Sequence, residues 1–264
     1  HDPYILNFFI KRCNWLTSNN ESGRLTNHLA LILRCIDIVN ELIHENKWSQ
    51  ERENIIKKII SWQSEEGWFW EYGGLDPGYH SLTISLLAEV HCEDKRNDLS
   101  IALKKAVKLG YNLIHPDGSF GGEYASRNTY CFFPLGFELL SNEITYASEI
   151  NNLFIKGLLQ NKIASYNDDH TIGHLTLNYL LTWKYFNLKR SFNFPKRRKS
   201  NYYSKGGIYI YRKNNKEIYI ALNKGGSLKY FKNKNFILSD TGISIILKND
   251  KVLVSNVIDK YKTV

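Results

Sequence analysis

A chain of 264 residues, 43% hydrophobic and 23% charged, can bury a sizeable core in one or two domains and does not have a disordered composition. No apolar run reaches the roughly 18–20 residues of a membrane span, and no secretory leader is visible. The net charge of +9 hides an asymmetry: residues 1–186 hold 17 Lys/Arg against 22 Asp/Glu, whereas residues 187–264 hold 18 against 4. A basic tail after an acidic body favours an anionic partner such as an acidic polysaccharide, and no reading motif for nucleic acid accompanies it.

The chain opens His-Asp and contains no methionine, which suggests a fragment or a processed product and leaves the compartment open. Cys13, Cys35, Cys92 and Cys131 are widely spaced without a CxxC pattern. Buried free thiols are expected, disulfides stay open, and neither a metal nor another cofactor is expected.

In chain order, residues 4–16 form an amphipathic helix, and 28–45 a second after the loop SNNESGRLT. Ser49 is placed to cap a third helix, 49–63, with the stripe Ile55, Ile56, Ile59 and Ile60. The Gly- and aromatic-rich loop 65–78 leads into helix 79–91, and helix 97–114 ends at His115-Pro116 and the turn Asp117-Gly118. The loop PDGSFGGEYASRN precedes an expected helix 129–141 that contains Pro134; helices 145–160 and 173–187 follow.

Four of these helices share a grammar. A polar loop runs into Asn27-His28, Tyr79-His80, Thr129-Tyr130 and Gly173-His174, at intervals of 52, 50 and 44 residues. A period near fifty, with a second helix inside each interval, predicts stacked helical hairpins. If the marked helices share a direction, their N-termini and loops form one polar bowl suited to an anionic ligand.

At Leu188 the texture changes. Residues 188–205 are basic and aromatic, broken by Pro195, and are expected to be a linker. GIYIYRKNNKEIYIAL predicts a hairpin turning at Asn214-Asn215, and SLKYF, FILSD, ISIIL and KVLVSNV predict further strands. The expected fold is therefore multidomain α + β: an α/α toroid over 1–187, incomplete, the linker, and a small antiparallel β-sandwich-like domain over 206–264.

Asn-His opening one helix (NHLAL, 27–31) and Tyr-His opening another about fifty residues on (GYHSL, 78–82) resemble the heparinase II/III-like polysaccharide lyases over residues 20–135. The resemblance implies β-elimination on a uronic-acid sugar. Asn27 and His28 would bind the carboxylate, Tyr79 would be the acid/base, and His80 or Arg127 would assist. A tyrosine base needs nearby positive charge, because a free phenol titrates near ~10. The chain departs from the family in having no histidine after His174.

Trp68 and Trp70, with Phe69 and Tyr72, offer either a sugar-stacking platform or rim packing. Glu71, Glu123, Tyr124, Arg127 and His174 are candidate ligand contacts. His28 and His80 also suit caps or core positions, and His170 with His174 has a metal-pair spacing without an evident third ligand. Three other functions compete: a glycoside hydrolase pairing Glu71 or Asp76 with Glu123 or Asp168, a non-catalytic glycan-binding or glycan-assembly protein, and a terpene-cyclase-like toroid, which lacks its DxDD motif here.

Overall fold

The computed structural model describes residues 2–19, 23–124, 128–163, 169–187 and 200–255. Eight helices come first among these: α1 (Pro3–Ser18), α2 (Thr26–Ile43), α3 (Ser49–Ser61), α4 (Pro77–Asp94), α5 (Asn97–Leu113), α6 (Leu135–Leu139), α7 (Thr145–Leu159) and α8 (Asp169–Lys184). Helices α2, α4, α6 and α8 touch in succession, and α3, α5 and α7 form a second row behind them. No described helix is long and apolar enough to cross a membrane.

Local chemistry sets most helix boundaries. The Asp2 carboxylate accepts from Tyr4 N at 2.8 Å, and Pro3 opens α1. Asp76 does the same for α4, accepting from Tyr79 N at 3.1 Å ahead of Pro77. Ser49 is not the cap of α3; that position is Trp48, and Ser49 is the first helical residue. Cys35, expected inside, is exposed, while Cys13 is buried; all four cysteines are free.

The third marked helix is much shorter than 129–141. Proline disfavours helical backbone in the residue before it, so Phe133 stays outside the helix and α6 starts after Pro134. Serines of α4 satisfy this stretch: Phe133 N donates to Ser81 Oγ at 3.1 Å, and Ser85 Oγ donates to Phe133 O at 3.1 Å.

Five strands make one antiparallel meander in sequence order: β1 (Ser200–Tyr203), β2 (Ile208–Lys213), β3 (Lys216–Ala221), β4 (Ser227–Lys232) and β5 (Asn235–Asp240). The β2–β3 turn falls at Asn214-Asn215, and β6 (Ser244–Ile246) and β7 (Val252–Val254) pair as a separate ribbon. β1 lies inside the segment expected as linker, so the sheet begins earlier than 206; residues 188–199 are outside the described residues.

Strand alternation turns one face inward: Ile208, Ile210 and Arg212 from β2, Tyr219 and Ala221 from β3, Lys229 and Phe231 from β4. Ile208, Ile210, Tyr219, Ala221 and Phe231 join the same continuous core as Leu87, Val107 and Phe137 of the helices. A polar clamp crosses the seam. Tyr219 donates its hydroxyl to Ile114 O at 3.0 Å, and Arg212 Nη2 donates to Asn112 O at 2.6 Å while Nε pairs with Glu217 at 2.7 Å.

Candidate functional site

The N-terminus of α2 is capped from outside. Leu25 provides no side-chain acceptor, so the loop before α4 supplies them. Trp70 O accepts from Thr26 N and Oγ1 at 3.2 and 2.9 Å. Glu71 Oε1 accepts from Asn27 N at 2.7 Å and Oε2 from Asn27 Nδ2 at 2.5 Å, with Thr83 Oγ1 at 3.3 Å from Oε1. Glu71 is wholly buried, and burial outweighs these donors, pushing its carboxyl up to about 8. Asn27 is only 2% exposed, so it lies beneath the rim, fixed by Glu71.

Three half-buried side chains line up above this floor. Tyr72, held at positive φ, sets its hydroxyl 3.4 Å from His28 Nε2. Its ring lies 5.0 Å from that of Tyr79. Burial, with Tyr72, drives the Tyr79 phenol well above its ordinary range. Asp76, which starts the helix carrying Tyr79, also accepts from the Thr129 hydroxyl. The second loop is thereby tied to the third. Cys131 lies alongside, its thiol pushed up to about 12 by burial and Asp76.

The sheet contacts the third loop. Lys224, at the end of the 3-10 turn Leu222–Lys224 between β3 and β4, donates to Asn128 Oδ1. Lys229 of β4 reaches Gly121 O at 3.3 Å and Glu123 Oε2 at 3.4 Å, with its ammonium 4.4 Å over the Tyr130 ring. Tyr130 donates to Glu123. Burial alone would raise the Glu123 carboxyl, but the Tyr130 bond and Lys229 hold it below the usual range. Gly121, at positive φ, packs against the Thr129 backbone where a side chain would collide.

The structure joins Asn27 to Glu71 and, through Tyr72, His28 to Tyr79, while Glu123 belongs to a separate cluster with Tyr130 and Lys229. His80 does not join them. It is wholly buried against Phe69, makes its bond to Ala106 O at 3.0 Å, and burial pushes it down to about 4. The cause is helical geometry: one residue after Tyr79 points about 100° away, toward α5. Tyr124 is buried too, its hydroxyl 3.0 Å from His115 Nε2.

Trp68 is a core residue bonded to Glu66 at 2.9 Å, whereas Trp70 is half-buried and carries Arg24 at 5.6 Å from its ring. His174 is exposed on α8, and no hydrogen bond or ring contact among the described residues joins it to this cleft. Arg127, Asp168, the His170 side chain and the KRRK run at 196–199 lie outside the described residues.

Lys224, Lys229 and Asn128 carry no advance signal, since lysines in β-rich sequence normally face solvent. The described residues contain no group of three or more His, Cys, Asp or Glu side chains that could hold a metal ion. Compared with protein-family models, curated proteins and solved structures, the chain matches none.

Proposed function

We propose that this cleft cleaves a uronate-containing polysaccharide by β-elimination, and that the hairpins are part of an α/α toroid meeting a β-sandwich-like domain. The Tyr79–Tyr72–His28 run carries the proposal. A buried phenol resists becoming a free phenolate. A relay removes that obstacle: Tyr79 passes its proton to Tyr72 as Tyr72 passes one to His28 Nε2. Tyr79 oxygen then takes the proton α to the sugar carboxylate. The C–O bond at the β carbon breaks as the C=C bond forms, and the phenol returns its proton to the leaving oxygen. His28 hands the relayed proton back.

Negative charge that builds on the carboxylate would be met by the lysines of the sheet, since the α2 and α4 N-termini already hold Glu71 and Asp76. The hydroxyls of Tyr79 and Tyr72, whose rings lie 5.0 Å apart, and the 3.4 Å gap between Tyr72 and His28 must both close on binding, as catalytic hydrogen bonds do when a substrate excludes water. Hydrolysis by paired carboxylates fits less well. Glu71 and Asp76 are both wholly buried and engaged by backbone and side-chain donors.

The test is incubation with a panel of uronate polysaccharides, following the ultraviolet absorbance of the unsaturated product. Wild type should give a signal on at least one, and Tyr79→Phe should lower it by roughly 100-fold or more. A signal that survives Tyr79→Phe removes Tyr79 from the chemistry. Silence on every acidic glycan favours a non-catalytic glycan-binding protein.

A further inference from the structure

We infer that the outer face of the β1–β5 sheet is a binding platform for an acidic glycan, which lays its sugar rings over tyrosines and its carboxylates along a row of three lysines. The inference rests on the acidic-glycan reading of the cleft, but it concerns the opposite face of the sheet.

Strand register assembles this face. Residues directly opposite one another in an antiparallel ladder point to the same side. Lys213 of β2 lies opposite Lys216 of β3, and Lys216 lies opposite Lys232 of β4. Their chain neighbours Arg212 and Phe231 are buried against the helices, so the lysines face outward, and all three are exposed. Among the described residues none of the three ammonium groups makes an ion pair or a hydrogen bond. Like charges directly across a ladder oppose sheet formation. An incoming polyanion offsets that repulsion on three adjacent strands at once.

Two residues back along the strands, Tyr211, Ile218 and Tyr230 form the next outward row. Tyr209 and Ile220 make the row behind it, with Tyr202 of β1 opposite Tyr209. The β6–β7 ribbon pairs apart from this sheet and leaves the face open: Tyr202 is 61% and Leu238 45% exposed. Tyrosine offers a ring to the apolar face of a sugar and a hydroxyl to its alcohols. The hydroxyls of Tyr209, Tyr211 and Tyr230 have no hydrogen-bond partner among the described residues.

Spacing and charge choose the ligand. Neighbouring strands lie about 4.8 Å apart, so the lysines recur at close to the rise of one sugar in an extended glycan. A polyuronate lying across the strands over Tyr211 and Tyr230 keeps its carboxylates beside the lysine row. Phosphates of a single-stranded nucleic acid are more widely spaced, and Ile218 between the tyrosines gives a base no ring to stack on. A second copy of this chain would bring one cationic row against another.

Calorimetric titration of the full chain tests this with hexasaccharides of galacturonate, of mannuronate and of a glucuronate-containing glycosaminoglycan, against a neutral glucose hexasaccharide and an oligothymidylate. Wild type should prefer at least one acidic glycan and bind it more weakly as salt is added. Lys213→Gln, Lys216→Gln and Lys232→Gln together should weaken that binding about tenfold or more and flatten its salt dependence. The thermal transition of this variant should hold or rise, because the like-charge row is relieved. Tyr211→Ala with Tyr230→Ala should weaken binding at every salt concentration.

Unchanged affinity in the lysine variant overturns the inference, as does binding of the oligothymidylate as tight as that of the best glycan. Binding of no acidic glycan by wild type overturns it together with the proposed function. Lysine-dependent binding without an ultraviolet product signal supports the platform and sinks the lyase chemistry alone. A product signal with lysine-independent binding sinks this inference alone.

Discussion

Two buried ionisable side chains beneath the cleft set opposite pH limits on stability. Burial raises the Glu71 carboxyl from an ordinary 4.5 to about 8 in the folded chain. The folded state thus holds this proton more tightly than the unfolded one. Its contribution is complete below the unfolded value and is lost as pH rises through about 8. His80 is depressed to about 4, so its contribution is present above the unfolded imidazole value and is lost as pH falls toward 4. Thermal melts of wild type should therefore lose stability on both the acid and alkaline sides. Glu71→Gln should flatten the alkaline limb between pH 5 and 9, a difference of about a few kcal/mol. The Asn27 amide can turn to offer its oxygen to the new side chain, so the fold should survive. Parallel limbs in the two proteins would show that Glu71 does not titrate in this range. The sequence marked Glu71 as a ligand contact because it sits in an aromatic loop. Nothing in that loop shows that α2 lacks a cap of its own and draws Glu71 inward.

Among the elements, α4 is the axle: it touches α2, α5 and α6, and it carries both Tyr79 and the serines that hold the stretch before α6. Contact with α6 is close enough to depend on Gly136. A methyl group there would stand 2.5 Å from Ser85 Cα and 2.7 Å from Ile84 O, backbone that cannot step aside. Gly136→Ala should cost about 1–3 kcal/mol in denaturant unfolding, as other overpacked sites do; a neutral effect would mean that α6 is loosely docked. Asp76→Ala should cost about 1–2 kcal/mol from the lost cap, and it frees the Thr129 hydroxyl as well. Most helices were legible in the sequence because their apolar stripes repeat at helical spacing, as with Ile56 and Ile59 of α3. Hydrophobic composition over 131–140 looks helical, whereas one proline and two serines on another element keep its first part out of the helix. The hairpin at Asn214-Asn215 was legible from alternation and turn residues, whereas β1 was hidden in a basic stretch that looked like a strap.

For the whole molecule, the decisive feature is that the helices and the inward face of the sheet share one core, clamped by Arg212 and Tyr219. One core predicts one cooperative transition: calorimetry should show a single unfolding endotherm with equal calorimetric and van't Hoff enthalpies. Two separated transitions would contradict the shared core. Tyr219→Phe, which strips a buried carbonyl of its partner, should lower that single transition by about 1–3 kcal/mol rather than split it. Asn27 and His28 stand in the first turn of α2 and Tyr79 in that of α4, positions the repeat marks, while Lys224 and Lys229 of the β region carry no such mark. A crystal of the Tyr79→Phe variant soaked with an acidic tetrasaccharide is the most direct measurement. The sugar should lie over His28, Tyr72 and Tyr79, with the carbon that bears its acidic proton facing residue 79. A sugar bound elsewhere, or with that carbon turned away from residue 79, would contradict the proposed site.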